Sequence, residues 1–257
     1  MKNNVFIIAE MSANHCGDRE LAKGIIRTAK EAGADAVKIQ TYTAETITLN
    51  CRNEEFFIRS DDSLWKGEYL FDLYQKAYTP WEWQAELKQY ADELGIRFFS
   101  TPFDYTAVDF LESIDVPMYK IASFEAYDFP LIKYAERHGK PMIISVGVSS
   151  LDEIQEAVDA CKSVGNSDIT LLKCTSAYPA RLEDMNILTV QDMIRRFGRS
   201  LYVARDIKKG ETFTPQNVRS VRPSLGLHPR MYETVLGRKA CQDIAFGTLL
   251  REDQIMG

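Results

Sequence analysis

The sequence predicts an α/β fold: an incomplete (β/α)8 barrel of the TIM type, about six βα units long, followed by a small β-rich domain. Three observations predict it. Short apolar runs end in polar, reactive side chains: VFIIAE (5–10), AVKIQTY (36–42), RFFSTPFD (97–104), MYKIASFE (118–125), PMIISVG (141–147) and ITLLKCTSAYP (169–179). Each is followed by a helix-like stretch, the rhythm of a barrel whose chemistry sits at the C-terminal ends of its strands. The rhythm then stops after Gly198, short of the eight units that close a barrel.

The first helix reads ELAKGIIRTAKEAG (20–33), with Leu21, Ile25, Ala29 and Ala32 at helical spacing and Gly33 as a stop. The next strand follows within three residues, a normal αβ connection. Residues 43–80 break the rhythm with an aromatic-rich stretch, LWKGEYLFDLYQKAYTP, that predicts a short helix at 69–77. Functional lids are the usual reason for so long an insertion. Helices are expected at 81–95, 105–114, 129–138, 151–164 and 187–197. From Arg199 the text turns to short β-like pieces and turns, with helical stretches expected only near 214–217 and 230–236. DIKKGETFTPQNV recurs loosely as DIAFGTLLREDQI, a weak internal repeat. The expected division is therefore a partial barrel at 1–198 and a pseudo-symmetric β module at 199–257. So small a module has little core of its own and is expected to pack on the barrel or on another subunit.

Composition excludes several classes. Of 257 residues, 26% are charged and the net charge is −6, which gives no sign of nucleic-acid binding. No apolar run approaches the length of a membrane span, and the N-terminus carries no secretory pattern. Five cysteines, odd in number and without a C-x-x-C pair, fit a reduced, cytoplasmic setting.

Strand parity assigns the chemistry. Val37 and Ile39 should face the helices, so Lys38 and Gln40 should face the barrel interior. A buried lysine is costly unless paired, so Lys38 is either an ion-pair partner of Glu10 or part of an anion site. Lys120 poses the same question on another strand. Two lysines in one mouth suit a small polyanion, and either is also a candidate Schiff-base former. Glu10 and Glu125 are candidate general bases. Thr101, Ser123, Ser145, Thr175 and Ser176 together read as a pocket lining. Of the three histidines, His15 lies within reach of the mouth, His138 is expected to cap a helix, and His228 falls in the small module; no pair has metal-ligand spacing.

IIAEMSANH, DAVKIQTY, LWKGEYLFDLYQKAYTPWEW, FSTPFD, YKIASFE and KCTSAYP resemble the sialic acid synthase family, especially its pseudaminic acid synthases. The tail, SLYVARDIKKGETFTPQNVRSVRPSLGLHP, resembles that family's antifreeze-like (SAF) domain. The resemblance implies condensation of phosphoenolpyruvate with an amino sugar, 2,4-diacetamido-2,4,6-trideoxy-altrose, to give a nine-carbon 2-keto acid and phosphate. N-acetylneuraminate and legionaminate synthesis are the alternatives within the family. It implies attack by C3 of phosphoenolpyruvate on the aldehyde, water addition at C2, and a divalent metal (Mn²⁺, Mg²⁺ or Co²⁺) on the aldehyde. By motif it implies phosphoenolpyruvate contacts from Lys38, Thr101, Lys120, Ser123 and Ser145. Glu10 and Gln40 would act catalytically near the reacting centre and Glu125 as a catalytic acid on the sugar side, where Phe103, Ser176, Tyr178 and Arg222 would bind the sugar. Arg222 would reach the partner's site in a domain-swapped homodimer, and the product would serve cell-surface glycans such as glycosylated flagellin.

One departure is large. The family's G-L-S-D-H-T and K-H-F motifs, whose histidines are its metal ligands, do not occur here. The chain passes from MIRRFG straight into RSLYVARD, as though two barrel units had been lost. The expectation is a synthase by descent whose activity is impaired. A non-catalytic sugar- or phosphate-binding module, or an assembly partner of a full-length synthase, is the reading from another class.

Overall fold

A computed structural model of the chain describes residues 5–59, 65–176, 180–190, 200–221 and 225–256. The chain divides into two compact units, Met1–Met185 and Asn186–Gly257. The boundary expected at 198–199 and most of the helix expected at 187–197 lie outside the described residues.

The first unit is six parallel strands in sequence order: β1 (Ile8–Glu10), β2 (Ala36–Thr41), β3 (Arg97–Pro102), β4 (Tyr119–Ile121), β5 (Met142–Ser145) and β6 (Ile169–Leu172). They curl into an incomplete barrel, with β1 and β6 as its two end strands. Between them run α1 (Arg19–Glu31), α2 (Ala44–Ile47), α3 (Leu70–Ala77), α4 (Trp81–Leu94), α5 (Tyr105–Ser113), α6 (Phe129–Glu136) and α7 (Leu151–Ser163). The expected helices are present with ends shifted by a residue or two, as fraying predicts. Local chemistry sets those ends. The Asp18 carboxylate accepts from the Glu20 and Leu21 N–H groups at the start of α1, Ser150 and Glu153 form a capping box on α7, and Gly95 closes α4 at a φ of 67°. The run at 5–10 is a strand only from Ile8. The Asp35 carboxylate takes the Ile7 N–H at 2.7 Å, so the ladder starts one residue later, and Val5, Phe6 and Ile7 remain exposed.

Strand alternation divides the apolar residues between two layers. Val37, Ile39 and Phe98 pack outward with Ile26, Leu87 and Ala91 of α1 and α4. Ala36, Phe99 and Ile143 pack inward with Ile8, Met118 and Leu172. This inner apolar layer is the floor beneath the polar strand ends.

The second unit corrects two expectations. It has a core of its own, in which Leu201, Val203, Ile207, Phe213, Val218, Val235, Ala240, Ile244 and Leu250 are buried. Residues 215–217 form a turn rather than a helix, because the Asn217 carboxamide takes the Thr214 N–H and donates to the Thr212 carbonyl. A one-turn helix at Tyr232–Val235 is present. Strands β7 (Ser200–Val203) and β8 (Val218–Val221) pair antiparallel.

The weak repeat is a structural one, and its copies brace each other. Ile207 and Ile244 exchange both backbone hydrogen bonds at 2.8 Å. The Asp206 carboxylate accepts from Phe246 N, and the Asp243 carboxylate accepts from Lys209 N. Gly210 and Gly247 turn the chain at φ of 84° and 79°. Asn217 and Gln254, both buried, occupy equivalent turns. Replacing Asn217 by Ala strands two backbone groups, so we expect a loss of about 1–3 kcal/mol in the second unit. Urea unfolding followed by Trp-independent backbone signals checks this; an unchanged midpoint would refute the bracing role.

Candidate active site

The mouth of the incomplete barrel collects most of the residues singled out from the sequence. Lys38 projects inward from β2, as parity predicts, and is buried. Its ammonium has three acceptors: Glu10 Oε2 at 2.6 Å, Thr101 Oγ1 at 3.0 Å and the Ile39 carbonyl at 3.3 Å. The ion pair with Glu10 and the position at a strand end therefore occur together. Gln40, the next inward residue, accepts from Ser12 Oγ at 3.3 Å, and Ser12 N donates to Glu10 at 3.1 Å. Ser12, in the loop after β1, takes a φ of 48°.

Lys120 projects inward from β4 and is equally buried. It donates to Ser145 Oγ at 2.5 Å and to the Ile121 carbonyl at 2.9 Å. Cys174 donates its thiol to the same Ser145 oxygen at 3.1 Å. Burial, reinforced by the charge of Lys38, brings the Lys120 pKa down to about 8. Glu125, in the turn after β4, moves the other way. Burial pushes its pKa up to about 7, against the pull of its own backbone N–H and of Lys120. Its Oε2 is buried and has no hydrogen-bond partner among the described residues.

Ser123, Gly147 and Ser176 line the neighbouring strand ends. Ser123 Oγ accepts from Gly147 N at 3.3 Å. A β-carbon on Gly147 would stand 2.4 Å from Ser176 Oγ and 3.0 Å from Cys174, so only glycine fits there. On the far side an aromatic wall forms. Tyr42 meets Phe103 and Tyr74 edge to face at 5.3 and 5.7 Å, and Trp81 Nε1 donates to the Tyr42 carbonyl. The Tyr42 contact sets Tyr74, and with it α3 of the long insertion, beside the end of β2; burial raises the Tyr74 pKa, and the Glu125 carboxylate adds to it. Within the same insertion Arg52 and Asp72 form a bidentate pair.

Two expected site residues, Tyr178 and Arg222, lie outside the described residues. His15 does not turn to the mouth. It is buried, bonded to Thr79 Oγ1 at 3.1 Å and set against Trp83, because Thr79 anchors a polar cluster behind the strands with Gln84, Thr41 and Ser100. His138 pairs with Glu112 at 3.5 Å instead of capping α6, where Arg137 ends the helix. Sequence reasoning missed Cys174, Gly147, Ser12 and the Tyr42–Tyr74 pair. Parity from Leu172 would have found Cys174; the others depend on how loops meet across strands.

A divalent metal, implied by the resemblance, does not fit these residues. Among the described residues no three of His, Cys, Asp and Glu stand together to hold one. His15 and His138 are engaged elsewhere, and His228 ring Nδ1 accepts from Arg230 N in the second unit. What the mouth offers is two amines, hydroxyls and a carboxyl group able to exchange a proton near neutrality, over an apolar floor and beside aromatic rings. That combination holds small anions and moves protons.

The chain belongs to the NeuB family, matched over residues 25–203, and carries a SAF domain at 198–256. It is 37% identical to a pseudaminic acid synthase of Helicobacter pylori over 97% of each chain, and 36% identical to one of Campylobacter jejuni over 96% of each. The first alignment runs over 332 positions although this chain has 257 residues, so the relative carries a segment that is missing here. A crystal structure of N-acetylneuraminic acid synthetase from Leptospira borgpetersenii, 33% identical, matches with a TM-score of 0.64 over 74% of this chain and 61% of its own.

Glu125 also provides a test by stability. A carboxyl whose folded pKa is raised above its ordinary value near 4.5 costs no stability in acid; the cost grows between 4.5 and 7 and is complete above 7. Glu125→Gln should therefore stabilise the barrel unit by about 1–3 kcal/mol at pH 8 and leave it unchanged at pH 4. Thermal melts at the two pH values check the sign. Gly147→Ala should destabilise the site by about 1–3 kcal/mol through overpacking against Cys174 and Ser176, and a double variant with Ser176→Gly should recover part of the loss.

Proposed function

We propose that this chain is, by descent, a synthase that joins phosphoenolpyruvate to 2,4-diacetamido-2,4,6-trideoxy-altrose, giving pseudaminic acid and phosphate. We further propose that it keeps the phosphoenolpyruvate half of the site and lacks the metal-binding half. The observation that carries the reading is the pair of buried inward lysines at the strand ends of a chain alignable along nearly the whole length of pseudaminic acid synthases. Lys38 and Lys120, with Thr101, Ser123 and Ser145, are the proposed contacts to phosphate and carboxylate. Glu125 is the proposed acid on the sugar side, protonated often enough near neutral pH to donate to the aldehyde oxygen as the new bond forms. Glu10 holds the Lys38 ammonium, Gln40 stands beside it, and Phe103 and Ser176 are proposed to face the sugar with Tyr178. A cytoplasmic homodimer, with Arg222 offered to the partner's site and a product destined for cell-surface glycans such as those of flagellin, completes the proposal.

Phosphate release in the presence of phosphoenolpyruvate, the amino sugar and Mn²⁺ tests it. With the metal half missing, we expect turnover about a thousandfold or more below that of a full-length family member, the scale of a lost Lewis acid. Turnover at the full-length level would overturn the impaired reading. Running N-acetylmannosamine beside the trideoxy sugar separates the pseudaminic from the sialic acid alternative. Calorimetry should still register phosphoenolpyruvate binding, and Lys38→Ala should weaken it about thirtyfold or more, as loss of a buried charge partner does. Unchanged binding in that variant would refute the pocket assignment.

A further inference from the structure

The two inward lysines are not equivalent. Lys38 meets three acceptors, one of them the Glu10 carboxylate, which is the full complement of an ammonium. Lys120 meets two, the Ile121 carbonyl and Ser145 Oγ, and no carboxylate pairs with it among the described residues. Two acceptors use both N–H groups of a neutral amine and leave its lone pair uncommitted. An ammonium in the same place would have a third N–H without a partner among the described residues. Ser145 is itself held by the Cys174 thiol, so the pair of acceptors is fixed from behind. The buried, unpartnered Oε2 of Glu125 belongs to the turn that directly follows the Lys120 strand.

We propose that Lys120 is a nucleophilic amine that forms an imine with the C2 carbonyl of a small 2-oxo acid, with Glu125 as the proton donor and acceptor. The nitrogen lone pair adds to the carbonyl carbon while the carbonyl oxygen takes a proton from Glu125. The resulting carbinolamine loses its hydroxyl with one proton as water, and the second amine proton returns to the carboxylate. One amine and one ketone thus give one imine and one water, with no oxidant, reductant or metal in the balance. The Lys38 ammonium supplies the positive field that suits a carboxylate adjoining the carbonyl. The depressed pKa of Lys120 supports the step, since an amine titrating at about 8 is unprotonated far more often at neutral pH than a surface lysine. This reactivity shares the pocket of the proposed synthase but does not depend on phosphoenolpyruvate being its ligand.

The test is reductive trapping of the whole chain with pyruvate and sodium cyanoborohydride at pH 7.5, read by intact mass and peptide mapping. We expect one carboxyethyl group on Lys120, formed about a hundredfold faster than on surface lysines, as their different protonation predicts. Lys120→Met should lose the adduct, and Glu125→Gln should slow it while leaving it on the same residue. An adduct spread over surface lysines, or none at all, would overturn the proposal; the mapping on the unaltered chain decides even if the Met variant fails to fold. Phosphoenolpyruvate added as a competitor separates the two readings. Trapping that it does not slow would leave the imine chemistry standing and count against the phosphoenolpyruvate pocket. Phosphoenolpyruvate binding without any trapping would do the reverse.

Discussion

The ion pair between Lys38 and Glu10 is the constraint around which the barrel mouth is arranged. An ammonium inside a barrel is tolerable only where acceptors replace the water it has lost. Glu10 supplies one from the neighbouring strand, Thr101 another from the strand on the other side, and the chain's own carbonyl a third. These contacts span β1, β2 and β3, so the charge also sets where those strands end relative to one another. Lys120 has no such carboxylate partner among the described residues, and burial, reinforced by the charge of Lys38, shifts it toward the free amine.

Much of this was legible in the sequence because strands alternate. Parity alone put Lys38, Gln40 and Lys120 inside and Val37 and Ile39 outside, and the helix stop at Gly33 follows from backbone conformation rather than from packing. What parity cannot convey is which loop residue crosses to which strand. Ser12 reaching Gln40, Tyr74 leaning on Tyr42, and His15 drawn back to Thr79 all depend on loop paths that carry no period. The 214–217 stretch misled for a related reason. Thr and Asn near a proline suit both a helix start and a turn, and the Asn217 side chain, by bonding the backbone, selected the turn.

The missing segment changes the energetics of the site as well as its inventory. A parallel sheet normally buries its edges by closing, and here β1 and β6 remain end strands. The inner apolar layer beneath the lysines is nonetheless assembled from residues of all six strands' neighbourhood, Ile8 through Leu172. The floor beneath the two lysines is therefore built from the six strands that are present.

The two units repeat their pieces in different ways. A barrel grows by repeating βα pieces, each of which rests mainly on its neighbours. The second unit is made the other way. Asp206 steadies the turn of the later copy and Asp243 steadies the turn of the earlier one, so each copy adds to bonds of its own a brace taken from the other. Its duplication is thus reciprocal: each copy is part of the other's scaffold.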